Sequence, residues 1–303
     1  MPRITAVVVT YNRRDLLARC IACLRAQQGA SCRILVVDNA STDGTGALLQ
    51  SLAGPDLTVH TAAENLGGAG GFSLGARLAV EAGCDAVWLM DDDTLPKPGA
   101  LAALLSAWAA QPGCGWLSSR AVDADGADQP MNRQRSTPYR DIPGYESPGG
   151  RPIPSVMASF VSLLVPAQAV RRFGLPIAEF FIWSDDWEYT RRISRALPCF
   201  TVPQSVVVHA MQNKSIVSIA ADTPDRLPRY RWFYRNDVVL YRREGLRGWL
   251  WLLAKDAWHT VQVLAGRCPD KRARIGIIWR GFWAGVHFAP PVRYPAPPQN
   301  APR

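Results

Sequence analysis

The one glycine-rich loop of this 303-residue sequence has neither GxGxxG spacing nor a following GK[ST], which argues against a dinucleotide fold and a P-loop hydrolase. Cysteine is present without pattern. The seven residues (20, 23, 32, 84, 114, 199, 268) are odd in number and lack framework spacing, pointing to reduced thiols in a cytosolic setting. Cys20 and Cys23 form a lone CxxC with no partner pair, so packing on a helix face is expected of them rather than metal or redox work. No secretory pattern is seen, because only about seven apolar residues precede the first charges and no small-residue cleavage site follows. Two uncharged stretches, Pro98 to Ser119 and Pro152 to Val170, reach membrane-spanning length but are interrupted by Pro, Gly and Ser, so they read as soluble core. Acid is scarce at one end only. Residues 226–303 hold 15 Lys and Arg against 4 Asp and Glu, a net of +11, whereas residues 1–225 carry −2.

What is present is alternation. Short β-rich apolar runs at 4–10, 32–38, 57–62 and 86–90 are separated by helical periodicity near Arg14 to Gln27, Thr45 to Leu52, Gly70 to Ala82 and Pro98 to Ala110. This pattern predicts βαβ units and an α/β domain with a mostly parallel, Rossmann-like sheet flanked by helices, over residues 1–225. Each run ends in polar residues, and parallel strands would bring those four loops to one edge, where such sheets bind ligands. Asp123 to Pro154 lacks periodicity and reads as a long loop or flap over that edge. "VPQSVVVHAMQNKS" reads as a strand ending in His209, and from about Pro228 the pattern is helical.

The chemistry-bearing residues sit in those loops. "VWLMDDDTLP" ends a buried strand in Asp91, Asp92 and Asp93, with Thr94 and a proline stopping the strand. Adjacent carboxylates there are unfavourable unless a cation or strong donors compensate them, although an isolated triplet is as easily a solvated turn. A strand-end D-x-D suits Mg²⁺ or Mn²⁺ shared with substrate phosphates, and one imidazole, His209, could complete the set. "NLGGAGGF" (65–72) puts four glycines ahead of a helix, permitting close backbone approach and N–H donors to an anion. Asp38 and Asn39 could face a base or ribose, while Thr42 and Asp43 suit a helix cap. "SDDWEY" opens a helix with Asp185, Asp186 and Glu188, where a helix dipole favours carboxylates in any case and a general base is the functional alternative.

As an ordered set, "VVVTYNR", "VVDNASTDGT", "NLGGAGGF", "WLMDDDTLP", "FFIWSDDWEY" and "VVVHAMQNKS" resemble the inverting family 2 glycosyltransferases of GT-A fold, most of all the bacterial galactofuranosyltransferases. "YRWFYRN" (230–236) resembles the "YY..RN" segment that follows the catalytic domain in these enzymes and in related rhamnosyltransferases. The resemblance implies donor binding by Thr10, Tyr11, Asn12, Arg13, Asp38, Asn65, Gly67, Gly68, Gly70, Asp91 and Asp92. It implies a divalent metal, Mn²⁺ or Mg²⁺, on Asp91, Asp93 and His209. Asp186 would be the base, with Asp185 as the alternative because Ser184 displaces the acidic pair from its tryptophan, and Trp183, Trp187 and Glu188 would face the acceptor. The implied activity is transfer of galactofuranose from UDP-galactofuranose to a hydroxyl of a lipid-linked glycan in cell-surface polysaccharide synthesis. A rhamnosyltransferase using a dTDP-sugar and a non-catalytic sugar-nucleotide-binding scaffold are the alternatives.

Residues 226–303 contain six of the eleven tryptophans among their cations, with charges breaking every long apolar run. Such a segment suits an anionic membrane surface better than a span. The expectation is a cytoplasmic protein, peripheral on the inner face of the membrane. No recognition motif for nucleic acid accompanies the charge.

Overall fold

The computed structural model describes residues 1–210 and 218–297. Strands β1 (Ile4–Thr10), β2 (Arg33–Asp38), β3 (Leu57–Thr61) and β4 (Ala86–Asp91) alternate with helices α1 (Arg14–Arg25), α2 (Thr45–Ser51) and α3 (Gly67–Glu81). The chain continues through β5 (Thr94–Pro96), α4 (Ala100–Ala110), β6 (Leu117–Val122), β7 (Arg135–Thr137), β8 (Arg140–Asp141), β9 (Ile153–Pro154), β10 (Leu163–Pro166), α5 (Ala167–Phe173), α6 (Asp185–Ser194) and β11 (Phe200–His209). Three helices follow: α7 (Tyr230–Arg242), α8 (Gly245–Ala265) and α9 (Lys271–His287).

The central strands β1, β2 and β4 are mostly apolar because both faces of the sheet are covered there. Ile4, Ala6 and Val8 of β1 enter one core with Leu17 and Ile21 of α1 and Leu101 and Leu104 of α4. Val7 and Val9 enter the other, with Phe72, Ala76 and Val80 of α3 and Tyr189 and Ile193 of α6. Period two in a strand therefore divides one run between two helical layers. Cys20 is fully buried in the first core, and all seven cysteines are free thiols.

Sheet order is β3-β2-β1-β4-β10-β6-β11-β5. The run β3-β2-β1-β4 is parallel, β10 lies antiparallel between β4 and β6, and β6 pairs β11 in parallel. The chain leaves β1 toward β2 and β3, then returns to β4 on the other side. That reversal is a topological switch point, and it brings the loops after β1, β2 and β4 together.

Two local readings change. β4 does end at Asp91, before Thr94 and Pro96, but these two do not simply stop a strand. They form β5, paired antiparallel with β11 so that Thr94 stands opposite His209. The segment 123–154 is more than a covering loop, since it carries the β7–β8 hairpin and buries Gln129, Asn132, Gln134 and Ile142. Residues 211–217, within the stretch expected to follow His209, lie outside the described residues.

Candidate active site

The converging loops floor a cleft of about 1270 Å³ that runs from Asn12 and Arg13, past Asp91, Asp93 and His209, to Asp185, Asp186 and Trp187, and on to Trp251 and Lys255 of α8. At one end the acidic triplet divides its work. Asp92 is buried, and its oxygens accept from the Thr10 hydroxyl at 2.7 Å and Arg13 Nη1 at 3.3 Å. It does not line the cleft, which differs from the donor-binding position expected for it. Arg13 Nη1 also reaches Asp93 Oδ2 at 2.6 Å.

The β5–β11 register brings His209 Nε2 to 3.1 Å from Asp93 Oδ1. On its other side, His209 Nδ1 lies 2.8 Å from Asn132 Oδ1, while Asn132 Nδ2 donates to Ser159 Oγ at 3.1 Å. That arrangement assigns a proton to Nδ1 and aims Nε2 at Asp93, the ring nitrogen that a metal ligand would use once it carries no proton. Asp93 Oδ1 is buried and, among the described residues, has no hydrogen-bond donor besides that ring. Burial pushes Asp91 up to about 7, with Asp93 and Asp92 adding to it. Burial would raise Asp93 as well, but His209 and Arg13 outweigh it and hold the carboxyl below its usual range.

A buried carboxylate oxygen and an imidazole nitrogen aimed at each other, beside a second carboxylate raised by burial and like charge, fit a hard divalent cation taking the place of the proton between them. Among the described residues no three His, Cys, Asp or Glu side chains form a ready-made cage. A partial set is what Mg²⁺ or Mn²⁺ needs when phosphate oxygens and water complete its shell.

Across the cleft, α6 starts with Asp185 and Asp186. Burial pushes Asp186 up to about 7, with Asp91 contributing repulsion and Arg135 opposing it; its Oδ1 accepts from the Trp187 backbone N–H at 2.7 Å. Asp185 is also raised well above its usual range, by burial first and Asp186 second. The guanidinium of Arg135 lies 4.4 Å over the Trp187 ring, and its Nη1 donates to the Tyr241 hydroxyl at 2.6 Å. Trp183 lines the same wall, edge-on to Tyr230 and Phe233.

The backbone that delivers this pair is unusual. Phe181, Trp183 and Ser184 all have positive φ, at 65°, 67° and 62°. Such conformations persist only where surroundings hold them. Asn236 on α7 is fully buried, and its amide nitrogen lies 3.0, 3.1 and 2.9 Å from the carbonyls of Phe180, Ile182 and Trp183. The next residue, Asp237, accepts from Ser184 Oγ at 2.6 Å and pairs with Lys255. From the opposite side, Ala69 N–H donates to the Phe181 carbonyl at 3.1 Å.

Here the glycines find a different use from the one expected. α3 begins at Gly67, not near Gly70, so they lie within its first turns. Gly67 has φ of +71°, and a Cβ there would collide with the Phe181 carbonyl; Asn65 Oδ1 accepts its N–H at 2.8 Å. Gly70 packs on Leu66, and Gly71 lies against Val9. Gly68 alone of the four lines the cleft and has open space where a side chain would be. Asp38 is buried and accepts the Ser41 N–H at 3.0 Å. Asn12 lines the cleft, and its side-chain oxygen accepts the Thr42 N–H at 2.7 Å, while Tyr11 is exposed. Glu188, expected at the acceptor, is instead buried in ion pairs with Arg192 at 2.9 Å and with Arg243.

Asn132, Arg135, Asp237 and Lys255 had no role in the sequence reading. Asn132 and Arg135 sit in the segment without periodicity. Asn236 and Asp237 adjoin or end "YRWFYRN", whose presence was noted without a role for its asparagine.

The family model "Glycosyl transferase family 2" matches residues 5–161. The galactofuranosyltransferase GlfT1 of Mycobacterium tuberculosis (strain ATCC 25618 / H37Rv) is 31% identical over 291 residues, covering 85% of this chain and 93% of the relative. GlfT1 of Mycolicibacterium smegmatis is 29% identical over 275 residues, covering 83% and 90%. Among solved structures, the mannosyltransferase PcManGT from Pyrobaculum calidifontis in complex with GDP-Man and Mn²⁺ superposes with a TM-score of 0.55 at 18% identity, covering 94% of this chain and 75% of that one. That likeness bears on the fold alone.

Proposed function

The chain belongs to glycosyl transferase family 2 and is a glycosyltransferase, and from that premise we propose that it moves galactofuranose from UDP-galactofuranose to a hydroxyl of a lipid-linked glycan at the cytoplasmic face of a membrane. The observation that carries the catalytic part is that Asp186 and the strand-end carboxylates Asp91 and Asp93 line one cleft. The donor and acceptor parts are supported by the similarity to the GlfT1 enzymes, and use of a metal by the Asp93–His209 geometry and the Mn²⁺ bound in the mannosyltransferase.

Asp91, Asp93 and His209 would hold a divalent cation, which when bound supplies neutralisation of charge on the departing diphosphate. Asn12 and Gly68 border the donor half of the cleft, and Arg13 fixes Asp93. Asp186, raised to about 7, is matched to take a proton near neutral pH, as a general base should be. It accepts the acceptor hydroxyl's proton as that oxygen bonds to the anomeric carbon, while the bond from that carbon to the diphosphate oxygen breaks on the opposite face. One displacement gives inversion. Trp183 and Trp187 present rings to the acceptor, and Arg135 stacked on Trp187 keeps that wall in place.

The test is a panel of sugar nucleotides with Mn²⁺ and a polyprenyl-linked acceptor, following nucleoside diphosphate release. Acceptor-dependent release of UDP from UDP-galactofuranose is expected. Preference for dTDP-rhamnose would overturn the donor assignment, and release from no donor would overturn catalysis.

A further inference from the structure

Helix α8 is apolar on both sides. Its inner face buries Gly248, Leu252, Asp256 and Val263 against the neighbouring helices. Its outer face presents Leu246, Leu250, Leu253, Trp258, Val261 and Leu264, which are 43% to 75% exposed. Leu246, Leu250, Leu253, Val261 and Leu264 recur at helical spacing along one stripe. A helix whose outer side met only water would carry polar residues there. The only charged side chains of α8 are Arg247, at its start, and Lys255 and Asp256, which pair with each other at 3.3 Å. A stripe of this length marks a docking face.

The charge around the stripe identifies what docks. Arg247 is exposed at its N-terminal end, and Arg267 and Arg272 are exposed beyond its C-terminal end, against one exposed acid, Asp270. Two copies meeting through this face would bring these cations together, whereas an anionic surface complements them. Trp258 and Trp283, both 60% exposed, have the ring chemistry favoured at the boundary between headgroups and acyl chains. Among the described residues no helix is long and apolar enough to cross a membrane.

We infer that the outer face of α8 lies in the surface of an anionic lipid bilayer, with its leucines entering the acyl boundary and the flanking arginines on lipid phosphates. The adjoining side of the same helix supplies Trp251 and Lys255 to the cleft. The cleft therefore opens beside the docked face, where a lipid-anchored acceptor could reach it. The inference deepens the proposed function and rests on it for that last step, while its evidence is separate.

The experiment compares the full-length protein with a Leu250→Ser, Leu253→Ser, Val261→Ser variant. All three positions are exposed and outside the cleft lining, so circular dichroism should show an unchanged fold. Co-sedimentation is measured with vesicles of phosphatidylcholine alone and of phosphatidylcholine with phosphatidylglycerol. The wild type should bind the anionic vesicles more tightly, and the variant should lose at least about tenfold in partitioning. Transfer to a short water-soluble acceptor should be unchanged. Equal vesicle binding by variant and wild type would overturn the inference. So would a wild type that ignores vesicles and sediments as a dimer that the variant abolishes. The vesicle arm contains neither donor nor acceptor. Vesicle binding without any sugar transfer would thus sink the proposed function and leave the docking face standing.

Discussion

Replacing Asn236 by alanine should disable transfer far more than it disables folding or donor binding. Asn236 touches no part of the cleft; it satisfies the carbonyls of Phe180, Ile182 and Trp183 from within α7. Those carbonyls belong to the loop in which Phe181, Trp183 and Ser184 are left-handed. At roughly 1–3 kcal/mol each, the three residues store on the order of 3–9 kcal/mol that the surroundings must oppose. Removing a buried donor adds the cost of unpaired carbonyls, about 1–3 kcal/mol. The loop then has both a reason and the freedom to relax toward ordinary backbone angles. Its end is the start of α6, so relaxation moves Asp185 and Asp186.

A displacement of about 1 Å at a catalytic group costs on the order of 100-fold in rate, so kcat for Asn236→Ala should fall by about that factor. The residues proposed for the donor side, Arg13, Asp93 and His209, hold one another without this loop, so the nucleotide dissociation constant should change by less than about threefold. Leu104→Ala, in the core on the opposite face of the sheet, is the control. It should cost about 2–5 kcal/mol of stability by cavity formation and leave kcat near wild type. Thermal melts, nucleotide titration and initial rates on the two variants give the comparison. If Asn236→Ala melts lower yet turns over within about threefold of wild type, the loop does not depend on this clamp and the reasoning fails.

Asp186→Asn should abolish transfer while nucleotide binding persists, and near-normal turnover would remove Asp186 from the role of base. Because the folded carboxyl is raised to about 7, its charged form opposes folding. The asparagine variant should therefore melt higher than wild type at pH 8, and the difference should vanish as pH falls through 7 toward the unfolded carboxyl value near 4. The wild-type rate should drop on the acid side of about pH 7 as Asp186 takes up a proton. Chelation should remove activity and Mn²⁺ restore it, and His209→Ala should raise the Mn²⁺ concentration required; Asn132→Ala should do the same by about tenfold through the His209 tautomer. Gly67→Ala should lower both stability and kcat, because the added methyl strikes the Phe181 carbonyl at a backbone angle that alanine resists.

What the sequence made legible was whatever depends on period and position along one element. The βαβ order follows from apolar runs of strand length, and convergence of the polar loops follows from parallel strands, so Arg13, Asp91 and Asp93 could be expected near one another before any coordinates. The roles that escaped are those fixed by register and long-range contact. Nothing in "DDD" says which carboxylate turns inward. That is decided by Thr10 reaching Asp92 across the β1–β4 boundary and by β5 sliding beside β11 until His209 meets Asp93. Glu188 looked like part of an acidic site because it follows Asp186 by two residues, but two residues along a helix is more than half a turn, and it faces Arg192 and Arg243 instead. The glycines were read as room for a ligand, whereas their tightest neighbour is the Phe181 carbonyl. Gly67 of α3 and Phe181 of the loop that leads to Asp186 are thus in direct contact, with Asn236 gripping the same loop from behind. Spacing between motifs more than 100 residues apart cannot encode that contact. It exists because α3 and α7 both pack on the 180–184 loop, so the start of α6 is set by residues far from it in the chain.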